Sequence, residues 1–138
     1  MNPQVQQILT KKINNITGVR GAVVIGEDGL AMYWARFPDK TDEERAAIER
    51  RAAMASSLHS LAAQVADREA SGPVKRLLVD MDGGYFIVAA CSDYTALAVS
   101  TEQGANLETV GYELAQLTRE LAGVLGTEGR RPDGRALM

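Results

Sequence analysis

Apolar positions along this chain recur first at helical spacing and then at strand spacing, and the two rhythms alternate in blocks. Val5, Ile8, Leu9, Ile13 and Ile16 repeat every three or four residues, the period of a helix with one apolar face. Asn2 before Pro3 supplies a cap and a first-turn proline, so the spacing predicts a helix over 3–16, ended near Gly18. Ala22, Val23, Val24 and Ile25 are then all apolar, as in a central strand covered on both faces. Asp28-Gly29 predicts a hairpin turn, because glycine takes a positive φ without a Cβ clash, and a second strand returns over 30–36.

A long helix follows. Thr41 and Glu44 stand at capping-box spacing, and Asp42, Glu43 and Glu44 suit the positive end of a helix. The pattern carries on to about 70, where Ser71-Gly72-Pro73 stops it. Inside it, 52–66 reads AAMASSLHSLAAQVA and contains no Lys, Arg, Asp or Glu. A helix covered on one side normally carries charge on the other. An uncharged stretch of about four turns predicts cover on more than one side. One small domain offers one sheet, so the second cover is expected to be another molecule.

The helix has two stripes. Met54, Leu58, Leu61 and Val65 are bulky, with Ala47 on the same side; Ile48, Ala52, Ala55, His59, Ala62 and Ala66 lie roughly a third of a turn away. The bulky stripe is expected on the sheet and the small one against a second helix. Size supports a partner: about 30 helical residues span roughly 45 Å, whereas five strands side by side are about 24 Å wide.

Three further strands are predicted at 74–81, 85–90 and 95–100, joined by Asp82-Gly83-Gly84 and Ser92-Asp93. Lys75 and Arg76 put charge on the first of them, as edge strands do. Asn106 caps a last helix whose Leu107, Val110, Leu114, Leu117, Leu121 and Val124 form one stripe. The result is one α+β domain over 1–126: a five-stranded antiparallel sheet with the long helix on one face and the two terminal helices on the other. Residues 127–138, TEGRRPDGRALM, lack periodicity and are expected to be a disordered tail.

Bulk properties narrow the function. The net charge of −3 offers no electrostatic footprint for nucleic acid. The uncharged stretch is too short and too polar to insert in a membrane. A lone Cys91 and no secretory signal fit a cytoplasmic protein, whose contact with a membrane would be peripheral and through a partner.

No enzymatic chemistry emerges. There is no G-x-x-x-x-G-K-[ST] loop, and Gly18, Gly21 and Gly26 open no helix. Asp80 and Asp82 share a face by period-2 geometry, but the simpler account is a strand end and a turn. His59 and Cys91 cannot build a zinc site alone, and no nucleophile elbow supports a Ser-His-Asp triad. His59 is expected at a helix–helix contact, and Cys91 as a buried, inert thiol. Arg45, Arg50, Arg51 and Arg68 flank the uncharged stretch, either as solvated helix ends or as an arginine finger. Of Tyr33 and Trp34, alternation sends one to each face, with core packing the default. No catalytic residue, cofactor or metal is expected.

Three features carry a family resemblance: ITGVRGAVVIGEDGLAM running from helix end into hairpin, VKRLLVDMDGGYFIVAA as strand-turn-strand, and the Ala-rich helix between them. With the closing amphipathic helix, residues 3–125 resemble the Roadblock/dynein light chain family, in the form common among actinobacterial proteins. The resemblance implies homodimers or heterodimers in which edge strands of two sheets join and the long helices pack side by side. It implies a platform or regulator for small Ras-like GTPases, working beside a sensor-kinase-like protein. The expected dimer interface is Ile48, Ala52, Ala55, His59, Ala62, Ala66, Val74, Arg76 and Leu78. The expected partner surface is Arg45, Glu49, Ser56, Ser60, Ala63 and Asp67. The alternative is a scaffold, for a sensor-kinase-like or motor-like partner, that ignores nucleotide state.

Overall fold

The computed structural model describes residues 2–130. In chain order it comprises α1 (Pro3–Asn15), β1 (Val19–Gly26), β2 (Ala31–Ala35), α2 (Asp42–Arg68), β3 (Arg76–Met81), β4 (Gly84–Ser92), β5 (Thr95–Thr101) and α3 (Leu107–Leu125). The five strands form one antiparallel sheet in the order β2-β1-β5-β4-β3, so β2 and β3 are its edges. The predicted α+β architecture is therefore the observed one.

Helix starts follow the local chemistry of the sequence. The Asn2 side chain accepts from the Gln4 N–H at 2.9 Å, with Pro3 in the first turn. Thr41 and Glu44 form a reciprocal box, at 3.1 Å from the Glu44 N–H to the Thr41 hydroxyl and 3.0 Å from the Thr41 N–H to the Glu44 carboxylate. Asn106 caps α3 through the Thr109 N–H at 2.9 Å. Each side chain replaces a helical partner that the first-turn N–H groups lack. α2 stops earlier than the glycine and proline suggest. Ala70 takes a left-handed φ of 51°, its N–H donating to the Asp67 carbonyl at 3.2 Å and the Ser71 N–H to the Ala66 carbonyl at 3.0 Å. These two bonds complete a Schellman end with alanine where glycine is usual.

Two cores flank the sheet. On one face α1 and α3 bury Val5, Leu9, Ile13, Leu114, Leu117 and Leu121 against Ala22, Val24, Leu97 and Val99. A Lys12–Glu113 pair at 2.8 Å links the two helices. On the other face α2 presses Ile48, Ala52 and Ala55 onto Val23, Ile25, Val88, Ala96 and Ala98. Alanines on both sides bring helix and sheet close together, and a leucine stripe would not fit there.

That packing reverses one expectation. The small stripe lies on the protein's own sheet, and the bulky stripe points outward. Part of the expected tail is also engaged with the domain. Residues 127–130 fold back, with the Glu27 N–H donating to the Gly129 carbonyl at 2.8 Å and the Tyr33 hydroxyl donating to the Glu128 carboxylate. The rest of the expected tail, 131–138, lies outside the described residues.

Candidate interaction surfaces

The long helix presents three distinct sides. The side on the sheet holds Ile48, Ala52 and Ala55, all 1% exposed or less, with His59, Ala62 and Ala66 half-buried further along. Six of the residues expected at a dimer interface thus lie on the inward stripe. Ile48, Ala52 and Ala55 are wholly committed to the protomer core, so no second helix reaches them. The physical reason is volume: the α2 face of the sheet is partly paved with alanine and accepts only a shallow helix surface.

The outward side holds Met54, Leu61 and Val65, which are 54, 59 and 62% exposed, with Leu58 half-buried among them. Four large apolar side chains on one exposed helix stripe are a patch of the kind that soluble proteins cover. Sequence periodicity found this stripe but directed it to the sheet. The clue was in Ala96 and Ala98 of β5, which leave no depth for it.

β3 extends the same story at the sheet edge. It pairs with β4 alone, from Arg76↔Ala89 to Met81↔Gly84, so its other row of backbone groups meets no strand. Leu77, Val79 and Met81 lie on the α2 face, and Arg76 and Leu78 on the α3 face. Val74 precedes the strand and is half-buried.

The third side of α2 looks toward the ends of β1 and β5. Ser56, His59, Ser60 and Ala63 line a cleft of about 550 Å³, closed by Gly26, Glu27, Asp93 and Tyr94. Within the protomer His59 therefore faces the ends of β1 and β5 across this cleft. Of the expected partner surface, Ser56, Ser60 and Ala63 are brought together here. Asp67 lies a turn further on, beside a separate hollow at the Pro73 loop. Arg45 is at the far end of the helix, and Glu49 is half-buried between.

Two of the four arginines that flank the uncharged stretch, Arg45 and Arg51, are engaged within the protomer. The Arg45 guanidinium stacks on Trp34 at 4.6 Å from the ring centroid and pairs with Asp39 at 3.7 Å. Arg51 stacks on Phe37 at 4.3 Å and donates to the Ala47 carbonyl at 3.3 Å. These contacts hold both cations on aromatic faces. Tyr33 and Trp34 alternate as expected: Tyr33 is 2% exposed in the α1/α3 core, and Trp34 packs on the α2 side.

Burial shifts two ionisable groups among the described residues, Cys91 and Tyr33. Burial pushes the Cys91 thiol up to about 12, which keeps it protonated and unreactive at neutral pH. Burial first, and then the hydrogen bond to Glu128, raise the Tyr33 hydroxyl above its usual range. Asp80 and Asp82 are exposed. Among the described residues no group of three or more His, Cys, Asp or Glu side chains could hold a metal, and no helix is long and apolar enough to cross a membrane.

Comparison with known proteins agrees with this fold. The model of the Roadblock/LC7 domain matches residues 5–101. A Roadblock/LC7 domain crystal structure from Streptomyces avermitilis superposes with a TM-score of 0.77 at 25% identity, covering 87% of this chain and 96% of that one. A second from the same species gives 0.65 at 31% identity, covering 85% and 97%. Myxococcus xanthus MglB shares the fold alone, with a TM-score of 0.76 at 9% identity over 90% and 96% of the two chains. No curated protein matches the sequence. The chain belongs to the Roadblock/LC7 family.

Proposed function

We propose that this protein is a homodimeric, non-enzymatic regulator or binding platform for a small Ras-like GTPase. The observation that carries the dimer is the outward stripe Met54, Leu58, Leu61 and Val65, lying on the same face of the sheet as Leu77, Val79 and Met81 of the unpaired β3 edge. A two-fold axis beside β3 would pair the two edge strands antiparallel and bring the two stripes together. Such an arrangement satisfies the free backbone row and removes a large apolar patch from water in one step. Self-association also fits the fold, since MglB has been solved in a tetrameric arrangement.

The corrected interface is Met54, Leu58, Leu61 and Val65 on α2 with the β3 backbone from Arg76 to Met81. It replaces Ile48, Ala52 and Ala55. Family membership supports the class of partner, a small GTPase; the proposal adds a sensor-kinase-like protein beside it and a cytoplasmic setting. The cleft of Ser56, His59, Ser60 and Ala63 occurs once on each protomer and offers polar groups to such a partner.

The test is a binding titration against a small Ras-like GTPase from the same cell, loaded once with a GTP analogue and once with GDP. A preference of tenfold or more for one state, about 1.4 kcal/mol, supports a protein that reads or sets the switch. Equal binding to both states would replace this proposal with the nucleotide-independent scaffold.

A further inference from the structure

On the sheet face opposite α2 an open trough runs beneath α3, and the dimer contact described above makes no use of it. Its floor is Leu78 of β3 and Ile87 of β4, and its wall is Leu107, Tyr112 and Ala115 of α3. This part encloses about 770 Å³. Leu78, Leu107 and Tyr112 are 44, 36 and 63% exposed there. Past Arg76 the trough continues into a hollow of about 320 Å³ between Lys75 and Arg119. The two parts share Arg76, Ile87 and Ala115.

One end of the trough is therefore apolar and the other cationic. Lys75, Arg76 and Arg119 meet no carboxylate within ion-pair distance among the described residues. Glu108 is the acid that lines the trough, at the apolar end. This positive lining stands on a chain whose net charge is −3. The Arg76 guanidinium is held in place, donating to the Gly111 carbonyl at 3.4 Å. Gly111 leaves it room, since a Cβ at that position would stand 3.3 Å from the guanidinium nitrogen. A glycine inside a helix costs up to about 1 kcal/mol relative to alanine. Tyr112 is likewise set by a neighbour, Gln116, which donates to its hydroxyl at 3.1 Å.

We propose that this trough docks an acidic amphipathic segment of a partner protein. Its apolar side chains would cover Leu78, Leu107 and Tyr112, and its carboxylates would meet Lys75, Arg76 and Arg119. The charge of the lining argues for this occupant: Lys75, Arg76 and Arg119 are exposed and, among the described residues, meet no carboxylate, and a guanidinium pairs best with a carboxylate that approaches in the plane of its fork. A helix with leucines on one face over two turns and carboxylates beyond them matches an apolar end that leads into a cationic one. The proposal does not depend on the dimer. Leu78 and Arg76 point out of the sheet face, so the β3 backbone edge stays free to pair while the trough is filled.

The probes are two fluorescent peptides of about 16 residues, long enough to span about 24 Å as helices. Both carry leucines at i, i+3, i+4 and i+7; one fills the remaining positions with Glu and Gln, the other with Lys and Gln. The acidic peptide is expected to bind the full-length wild type at least tenfold more tightly at about 50 mM salt, with the difference shrinking at about 500 mM. The double variant Arg76→Glu/Arg119→Glu should reverse the preference, and the milder Arg76→Gln/Arg119→Gln should abolish it; circular dichroism checks that both remain folded. Tyr112→Ala should weaken both peptides. Leu61→Asp, aimed at the dimer contact, should leave peptide binding unchanged, so failure of the dimer and failure of the trough read out separately. Equal affinity for the two peptides, or a preference untouched by either double variant, overturns the proposal. So does self-association abolished by Tyr112→Glu, or pelleting of the protein with phosphatidylserine vesicles that Arg76→Gln/Arg119→Gln prevents.

Discussion

Replacing Ala55 by leucine tests which side of α2 belongs to the protomer. Ala55 is 0% exposed and packs in the cluster of Val23, Val88, Ala96 and Ala98. Adding three carbons there forces the helix away from the sheet or the strands apart, at about 1–3 kcal/mol. For a domain of this size each kcal/mol moves the melting temperature by about 3–6 °C, so a fall of roughly 3 °C at the least is expected. The matched change is Leu61→Ala on the outward stripe, where the side chain is 59% exposed. Within an isolated protomer that change costs little, because little is buried and alanine favours the helix. Thermal unfolding of both variants, at protein concentrations low enough to hold any dimer apart, separates the two sides. Had the small stripe faced outward, as the sequence alone suggests, Ala55→Leu would be neutral and Leu61→Ala would cost about 2–5 kcal/mol. That reversed order refutes the packing described here. By the same logic Ala55→Arg, which buries a charge in that core, is expected to unfold the protomer.

Tyr33→Phe removes a hydroxyl that donates to Glu128 and accepts the Asn2 N–H at 2.9 Å; chemical denaturation should show a loss of about 1.5–3 kcal/mol, and limited proteolysis should find the 127–130 segment loosened. Ala70→Gly relieves the left-handed residue that ends α2 and should raise stability by about 0.5–1 kcal/mol. For Cys91, the folded pKa of about 12 lies above its ordinary 9.0. The folded state holds the proton longer, so its contribution is fully present below pH 9.0 and is lost as pH climbs toward about 12. Cys91→Ala should flatten that alkaline decline in a denaturation series, and native wild-type protein should alkylate far more slowly than unfolded chain at pH about 9.

Much of the fold was legible because the signals are local. Asn2-Pro3, Thr41 with Glu44, Asp28-Gly29 and Asn106 each satisfy or bend their own neighbourhood, and the structure places every one where the sequence does. Leu114, Leu117 and Leu121 in α3 share one unambiguous stripe, and they are buried. The orientation of α2 was not legible, because its two stripes are both apolar and periodicity measures angle, not depth. Which stripe fits is decided by Ala96 and Ala98, residues more than 25 positions from the helix middle. The trough escaped notice for a related reason. Lys75, Arg76 and Arg119 look like ordinary edge-strand and helix-surface charge in sequence, and they become a site only when β3 and α3 are brought together. Residues 127–130 have tail-like composition, yet Tyr33 and the Glu27 N–H capture them through contacts about 100 residues apart.

The most direct measurement is sedimentation equilibrium of the wild type and Leu61→Asp from sub-micromolar to high micromolar concentration. In a symmetric dimer each Leu61 covers surface worth about 1–2 kcal/mol on burial, counted twice, and a covered unpaired carboxylate costs several kcal/mol more. The account predicts a dimeric wild type and a variant whose Kd is at least about 10³-fold weaker, with its circular dichroism unchanged. A wild type that stays monomeric throughout, or a Leu61→Asp variant as dimeric as the wild type, would contradict the account.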